Sequence, residues 1–289
     1  MEVKLDCVQC TLRQAVEAGR LATSDYNIRK EIVLKSLDIL LNFESYKTPP
    51  EMGRAIHNLV MEYTGDDNPY KKMKDDAIRT AHSIYPGLKE FVRAQNDTLR
   101  SALEVSALGN LLDAAVYGEI QLDGLEERLE KELIKGLGLG GIEILRKELE
   151  DAKIVMIIGD NAGETVLDRI LISEIKRIGG DKTRVFYTVR NGPIVNDATM
   201  EDAIASGLDS DATIIDTGSS VAGLLLNEVS PEFLKLYYNA DVVISKGQGN
   251  YETLSESKGR VIYFLLKVKC RAVAEDIGAN LEEYVLLRK

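Results

Sequence analysis

Apolar residues recur at three- and four-residue spacing through the first half of the chain. That period predicts helices over roughly 8–22, 28–43, 50–63, 70–94, 98–117 and 123–135. Pro49-Pro50, the polar stretch 64–69 and Pro86-Gly87 punctuate it, since proline lacks a donor and these residues favour turns. After residue 150 the pattern changes to short unbroken apolar runs at 154–158, 184–189, 212–216, 241–245 and 261–266. Runs of that kind, separated by amphipathic stretches, belong to parallel strands covered on both faces. The expectation is an α/β fold: a mainly parallel, doubly wound sheet in a C-terminal domain over 151–289, preceded by a helical domain over 1–150. Such sheets bind ligands outside the carboxyl ends of their strands, so chemistry is sought just after each run.

Composition narrows the classes. With 45% hydrophobic and 29% charged residues and only 6 Pro in 289, the chain is globular rather than disordered or fibrous. Lys and Arg number 36 against 47 Asp and Glu, a net charge of −11, whereas a nucleic-acid binder presents a basic stripe; no nucleic-acid partner is expected. The opening MEVKLDCVQC lacks a signal peptide's basic and apolar regions, and no run approaches a membrane span, so no membrane partner is expected. Three Cys cannot all pair within one chain, which suits a reducing, cytoplasmic setting. No oligomeric state is read from the sequence.

Polar chemistry follows three of the strands. The first leads into GDNAGE, with Asp160 and Asn161 adjacent before a helix start; the second leads to Asn196 and Asp197, again before a helix. The fourth ends at Lys246 and continues as Gly247-Gln248-Gly249-Asn250-Tyr251-Glu252. Carboxylate and amide oxygens suit a hard divalent cation, while a lysine and glycine-exposed N–H groups suit phosphate oxygens. For any one loop, helix capping or an ordinary turn explains the residues equally well. Three such loops at one sheet edge favour a shared site for a small phosphorylated metabolite.

These motifs, with DNPYKKMK at 67–74 and LGNLLDAA at 108–115, resemble the metal-dependent damage-control phosphatases, the domain-of-unknown-function 89 type. CVQC at 7–10 resembles the CxxC-bearing subfamily I of that family, in its archaeal form. The resemblance implies a three-layer α/β/α sheet domain and a cation held by Asp160, Asn161 and Asp197, with Lys246 touching phosphate. It implies Mn²⁺ or Ni²⁺ first, with Co²⁺ or Mg²⁺ also suited, and hydrolysis of phosphate monoesters of sugar phosphates or of damaged nucleotides and their precursors. The rival reading is a non-catalytic phosphometabolite-binding or sensor protein using the same loops.

On this reading Asp160 is a ligand and a water attacks, while amides around 162–164 and 247–250 donate to the phosphate. Asn196, Gly247, Gly249, Asn250 and Glu252 are substrate-binding candidates, joined by Asn110 and Asp113, which lie three apart on one helical face. Glu164, Asp168, Asp202 and Glu252 are candidates to support the metal ligands or act as a general acid, but each falls on a predicted helix, where a solvated carboxylate is the favoured expectation. Asp67, Tyr70 and Lys74 match the family pattern but equally suit an interhelical turn.

Other signals carry less. Gly136, Gly138 and Gly141 satisfy GxGxxG, but no strand precedes them, so a hinge is expected there. GGDKT at 179–183 lacks the Gly-Lys-Thr triplet, and GSSVA at 218–222 misses the last glycine of a nucleophile elbow. Cys7 and Cys10 are expected to serve structure or regulation; a Cys7–Cys10 disulfide with Cys270 nearby, or a Cys₃His site using His57 or His82, stays open, and a CxxC oxidoreductase is the weakest alternative.

Overall fold

A computed structural model describes residues 1–109, 129, 131–133, 136–138 and 140–289. The first part holds α1 (Leu5–Ala22), α2 (Tyr26–Leu41), α3 (Pro49–Thr64), α4 (Lys71–Arg93) and α5 (Thr98–Ala107). Asp25 caps α2 by accepting from the N–H groups of Asn27 and Ile28. Thr48 and Glu51 close a capping box on α3, whose first turn tolerates Pro49 and Pro50 because those N–H groups have no helical partner anyway. The break expected at Pro86-Gly87 does not occur. α4 runs through Pro86 on its exposed side, where solvent can reach the carbonyl that the missing donor releases. The predicted stretch from 110 to 117, most of that over 123–135, and the candidates Asn110 and Asp113 lie outside the described residues.

After α6 (Ile142–Asp151), strands and helices alternate: β1 (Ile154–Ile158), α7 (Glu164–Gly179), β2 (Arg184–Val189), α8 (Met200–Ala205), β3 (Thr213–Asp216) and α9 (Pro231–Asn239). Then come β4 (Val242–Lys246), α10 (Gln248–Leu254), β5 (Tyr263–Lys267), α11 (Arg271–Ile277) and β6 (Tyr284–Arg288). The strands form one sheet in the order β3-β2-β1-β4-β5-β6. Every neighbouring pair is parallel except β5 and β6, which run antiparallel with Leu265 opposite Leu286. β6 was not expected from the sequence: its apolar stretch is short, lies between charged residues and pairs antiparallel on the outer edge of β5. From β1 the chain winds outward to β3 and then crosses back to β4, so the switch point lies at the carboxyl ends of β1 and β4.

Side-chain alternation builds the layers. Val155, Ile157, Val185, Tyr187, Val242, Ile244 and Leu265 point to one face, where α4, α5, α6 and α7 pack in a single buried cluster. Met156, Ile158, Val243, Phe264 and Leu266 point to the other, against α9, α10 and α11. The chain is therefore a three-layer α/β/α protein with added helices. Among these, α1, α2 and α3 pack on one another, and α3 also reaches α10, which brings α1 and α3 over the strand ends. The glycine-rich stretch before α6 is not an open hinge. Gly138 donates to the Tyr284 carbonyl and accepts from the Leu286 N–H, so it is tied to the outer strand β6. None of the described helices is long and apolar enough to cross a membrane.

Candidate active site

Two loops meet at the switch point. The Ala162 N–H donates to the Asn196 carbonyl (2.9 Å) and the Ala198 N–H to the Asp160 carbonyl (2.8 Å), so Asn161 and Asp197 pair as a short antiparallel bridge. The Asp-Asn pair after β1 and the Asp after β2 are thus held on adjacent backbone. The approach is close: a Cβ at Gly159 would lie 2.6 Å from a Tyr187 ring carbon and 2.8 Å from the Thr188 carbonyl oxygen. On the other flank, Gly247 turns at φ 77°, and a Cβ there would fall 2.0 Å from Asp160 Oδ2. The carboxylate of Asp160 occupies the space that glycine leaves. Val195, a β-branched residue held at φ 45°, adds strain just before Asn196 and Asp197. Its N–H is fixed by His57 Nε2 (3.1 Å), and His57 lies against the Tyr70 ring.

The acidic side chains are buried and unevenly satisfied. Asp160 is 8% exposed, and its carboxylate accepts no hydrogen bond from the described residues. Asn161 Nδ2 donates to Glu164 Oε1 (2.9 Å), leaving its Oδ1 without a donor among the described residues. Asp197 Oδ2 accepts from Arg190 Nε (2.7 Å), leaving its Oδ1 likewise. Burial, then the charge of Asp197, pushes Asp160 up to about 6. Burial raises Asp197 too, opposed by Arg190. Glu164 and Glu252 are each pushed up to about 7, chiefly by burial. Glu164, Asp168, Asp202 and Glu252, expected to be solvated, are all buried, because their helices pack against the sheet and α4 rather than facing water.

These oxygens open onto a cavity of about 450 Å³. Asp160, Asn161, Asn196, Asp197, Gly249 and Glu252 line it, as do Cys7, Cys10 and Cys270. Cys270 is thus near the CxxC pair, but burial raises the Cys7 and Cys270 thiols, which keeps them protonated. The two histidines do not line this cavity: His57 serves Val195, and His82 contacts the Ala205 carbonyl.

Lys246 and Asn250 point elsewhere. Lys246, on the same sheet face as Val242 and Ile244, gives its three donors to Ser106 O (2.9 Å), Glu164 Oε2 (2.7 Å) and Asp168 Oδ1 (2.7 Å). Asn250 braces the strand ends, donating to the carbonyls of Gly159 and Lys246 and accepting from Arg190. The amides of Ala162, Glu164 and Gly247, expected to serve phosphate, are bonded to backbone carbonyls instead. The lysine that lines the cavity is Lys269, which follows β5 and lowers the Asp160 carboxyl. Sequence reading missed it, together with Arg190, Arg13 and Gln248. Arg190 was legible as a charge closing an apolar strand, whereas Lys269 reads as one of many surface lysines.

The site suits a hard cation. Four oxygens, from two carboxylates and an amide, stand without donors among the described residues at one cavity, and the glycine cradle fixes the Asp160 carboxylate. Among the described residues no three His, Cys, Asp or Glu side chains form a ligand cluster by themselves. A cation on Asp160, Asn161 and Asp197 would therefore keep water or substrate oxygens in its remaining positions, as Mg²⁺-type sites do.

Residues 3–285 match the model of the damage-control phosphatase ARMT1-like domain. The damage-control phosphatase PH1575 of Pyrococcus horikoshii is 33% identical over all of this chain and 98% of its own length. A damage-control phosphatase of Archaeoglobus fulgidus is 34% identical over 99% of this chain and 98% of its own. The crystal structure of PH1575, described as a protein of the domain-of-unknown-function 89 family, superposes with a TM-score of 0.91 at 32% identity, covering all of this chain and 99% of the other. With the fold, the strand-end motifs and full-length similarity in agreement, this chain belongs to the ARMT1-like damage-control phosphatase family.

Proposed function

We propose that the protein is a metal-dependent phosphatase with a damage-control role, hydrolysing phosphate monoesters of small metabolites: sugar phosphates, or damaged nucleotides and their precursors. Family membership supports phosphatase activity. The observation that supports the metal dependence is the bridge between Asn161 and Asp197, which brings to one cavity four oxygens of Asp160, Asn161 and Asp197 that no described residue donates to. Those side chains would hold Mn²⁺ or Ni²⁺, or else Co²⁺ or Mg²⁺. The bound cation would supply Lewis-acid neutralisation of phosphoryl charge and a more acidic bound water.

The chain's own residues do the rest. Arg190 fixes the Asp197 carboxylate, and Gly247 backs that of Asp160. Lys269 and Arg13 bring positive charge to the cavity, where phosphate oxygens need it. Glu252 is buried at the cavity wall, hydrogen-bonded by Gln248 (2.8 Å), with its carboxyl poised near neutrality. That is the condition for giving a proton to a departing alkoxide. Asn196 and Gly249 shape the wall beside it, and the CxxC pair marks this chain as a candidate for subfamily I.

The test is phosphate release from a panel of sugar phosphates and nucleotides, run metal by metal. Release with Mn²⁺ or Ni²⁺ that disappears in Asp160→Ala and Asp197→Ala supports the proposal. Tight ligand binding with no phosphate released under any of the four cations establishes the sensor reading instead.

A further inference from the structure

We propose that Lys246 and Glu164 are positioning residues which orient the amide of Asn161 and do not touch substrate. The inference rests on the metal-dependent reading above. The three donors of the Lys246 ammonium are all taken, by Ser106 O, Glu164 Oε2 and Asp168 Oδ1, at 2.9, 2.7 and 2.7 Å. Lys246 and both carboxylates are at most 1% exposed, so a phosphate could reach the lysine only by breaking one of these bonds inside the protein. Asp168 is itself fixed on its other side, with Oδ2 accepting from the Tyr187 hydroxyl (2.6 Å). The lysine is therefore a fixed post tied to α5, α7 and, through Tyr187, to β2.

From that post the geometry runs to the cavity. Glu164 accepts from Lys246 on Oε2 and from Asn161 Nδ2 on Oε1. An amide whose nitrogen is fixed has its oxygen fixed as well, and the oxygen of Asn161 has no donor among the described residues. Only a carboxylate can accept from both neighbours at once. A glutamine in its place must turn an NH₂ either toward the ammonium or toward the Asn161 amide, and the second choice flips the Asn161 nitrogen into the cavity. The end of α5 closes over this glutamate: a Cβ at Gly109 would lie 2.2 Å from Glu164 Cγ. The Lys-Gly pair at the end of β4 thus supports two of the three side chains that would hold the cation, Gly247 backing the Asp160 carboxylate and Lys246 acting through Glu164 on Asn161.

The test measures Mn²⁺ affinity of the full-length chain directly, by titration of the metal-free protein, and inhibition by inorganic phosphate at saturating Mn²⁺. Glu164→Gln and Lys246→Met are expected to weaken Mn²⁺ binding by about 10- to 100-fold, the usual effect of removing a group that orients a ligand. Inorganic phosphate should inhibit Mn²⁺-saturated Lys246→Met as well as it does the wild type. Unchanged Mn²⁺ affinity with weakened phosphate inhibition in Lys246→Met overturns the proposal and returns the lysine to the substrate. If Lys246→Met does not fold, Glu164→Gln, which preserves size and shape, decides alone: wild-type Mn²⁺ affinity there sinks the idea. A wild-type chain that binds no Mn²⁺ defeats the metal reading itself, which is a separate failure.

Discussion

A carboxylate with no donor facing it is seldom buried, because losing water without a replacement bond is costly, and among the described residues nothing donates to the buried Asp160 carboxylate. Burial, then the charge of Asp197, pushes that carboxyl up to about 6, so keeping it ionised at neutral pH is costly. Asp160→Asn is therefore expected to stabilise the metal-free protein at pH 8 by about 3 kcal/mol, at roughly 1.4 kcal/mol per pKa unit, while abolishing stabilisation by Mn²⁺. Thermal melts with and without Mn²⁺ check both halves, and a destabilised metal-free variant contradicts the account. Glu252→Gln removes the proposed proton donor. It is expected to lower kcat on sugar phosphates by about 10²-fold or more and to leave an aryl phosphate with an acidic leaving group far less affected. Equal losses on both substrates would assign Glu252 to binding alone. Much of this chemistry was legible: Asp160, Asn161 and Asp197 were readable as polar residues following apolar strands. The burial of Lys246 was legible too, since it shares the alternation of Val242 and Ile244, but a lysine before a glycine-punctuated loop reads first as a phosphate contact.

At the scale of elements, the helical half holds the strand-end loops of the candidate site by reaching across the sequence. Lys74 of α4 bonds Asp202 of α8 at 2.6 Å, both side chains being buried, and also approaches the Asp197 carbonyl. Asp202 in turn closes the capping box with Thr199 that starts α8. Removing one partner of a buried pair leaves an uncompensated charge, so Lys74→Met is expected to cost about 3–5 kcal/mol in denaturant unfolding. Arg54 and Glu228, about 30% exposed, tie α3 to the loop after β3; Arg54→Met should cost about 1 kcal/mol or less. Similar losses for the two variants would show that burial does not set their worth. The sequence placed Lys74 in a motif but could not show its partner 128 residues away, because helical periodicity reports which face is buried and not what lies opposite. The same limit hid β6, whose partner strand is separated from it by α11.

For the molecule as a whole, the buried acids link stability to both pH and cation. Folding raises Asp160 to about 6 and Glu164 and Glu252 to about 7, so between about pH 4 and 7 the folded chain binds more protons than the unfolded one. The stability their neutral forms contribute is complete below the ordinary carboxylate values and is lost as pH rises through 6 to 7. His57 works the other way. Burial and then Lys74 lower it to about 4, so its contribution is complete above pH 6.5 and is lost as pH falls toward 4. Glu228, held low by its hydrogen bond from Arg54, adds a further loss in acid. Three acids outweigh one imidazole, and the metal-free protein should melt highest near pH 5 and progressively lower toward pH 8. A cation needs Asp160 and Asp197 ionised, so the rise in Tm given by saturating Mn²⁺ should grow over that same interval. Melting curves at pH 5, 6, 7 and 8 separate the two effects. If the metal-free chain is most stable at pH 8, or Mn²⁺ stabilises it most at pH 5, the buried acids are not arranged around a cation.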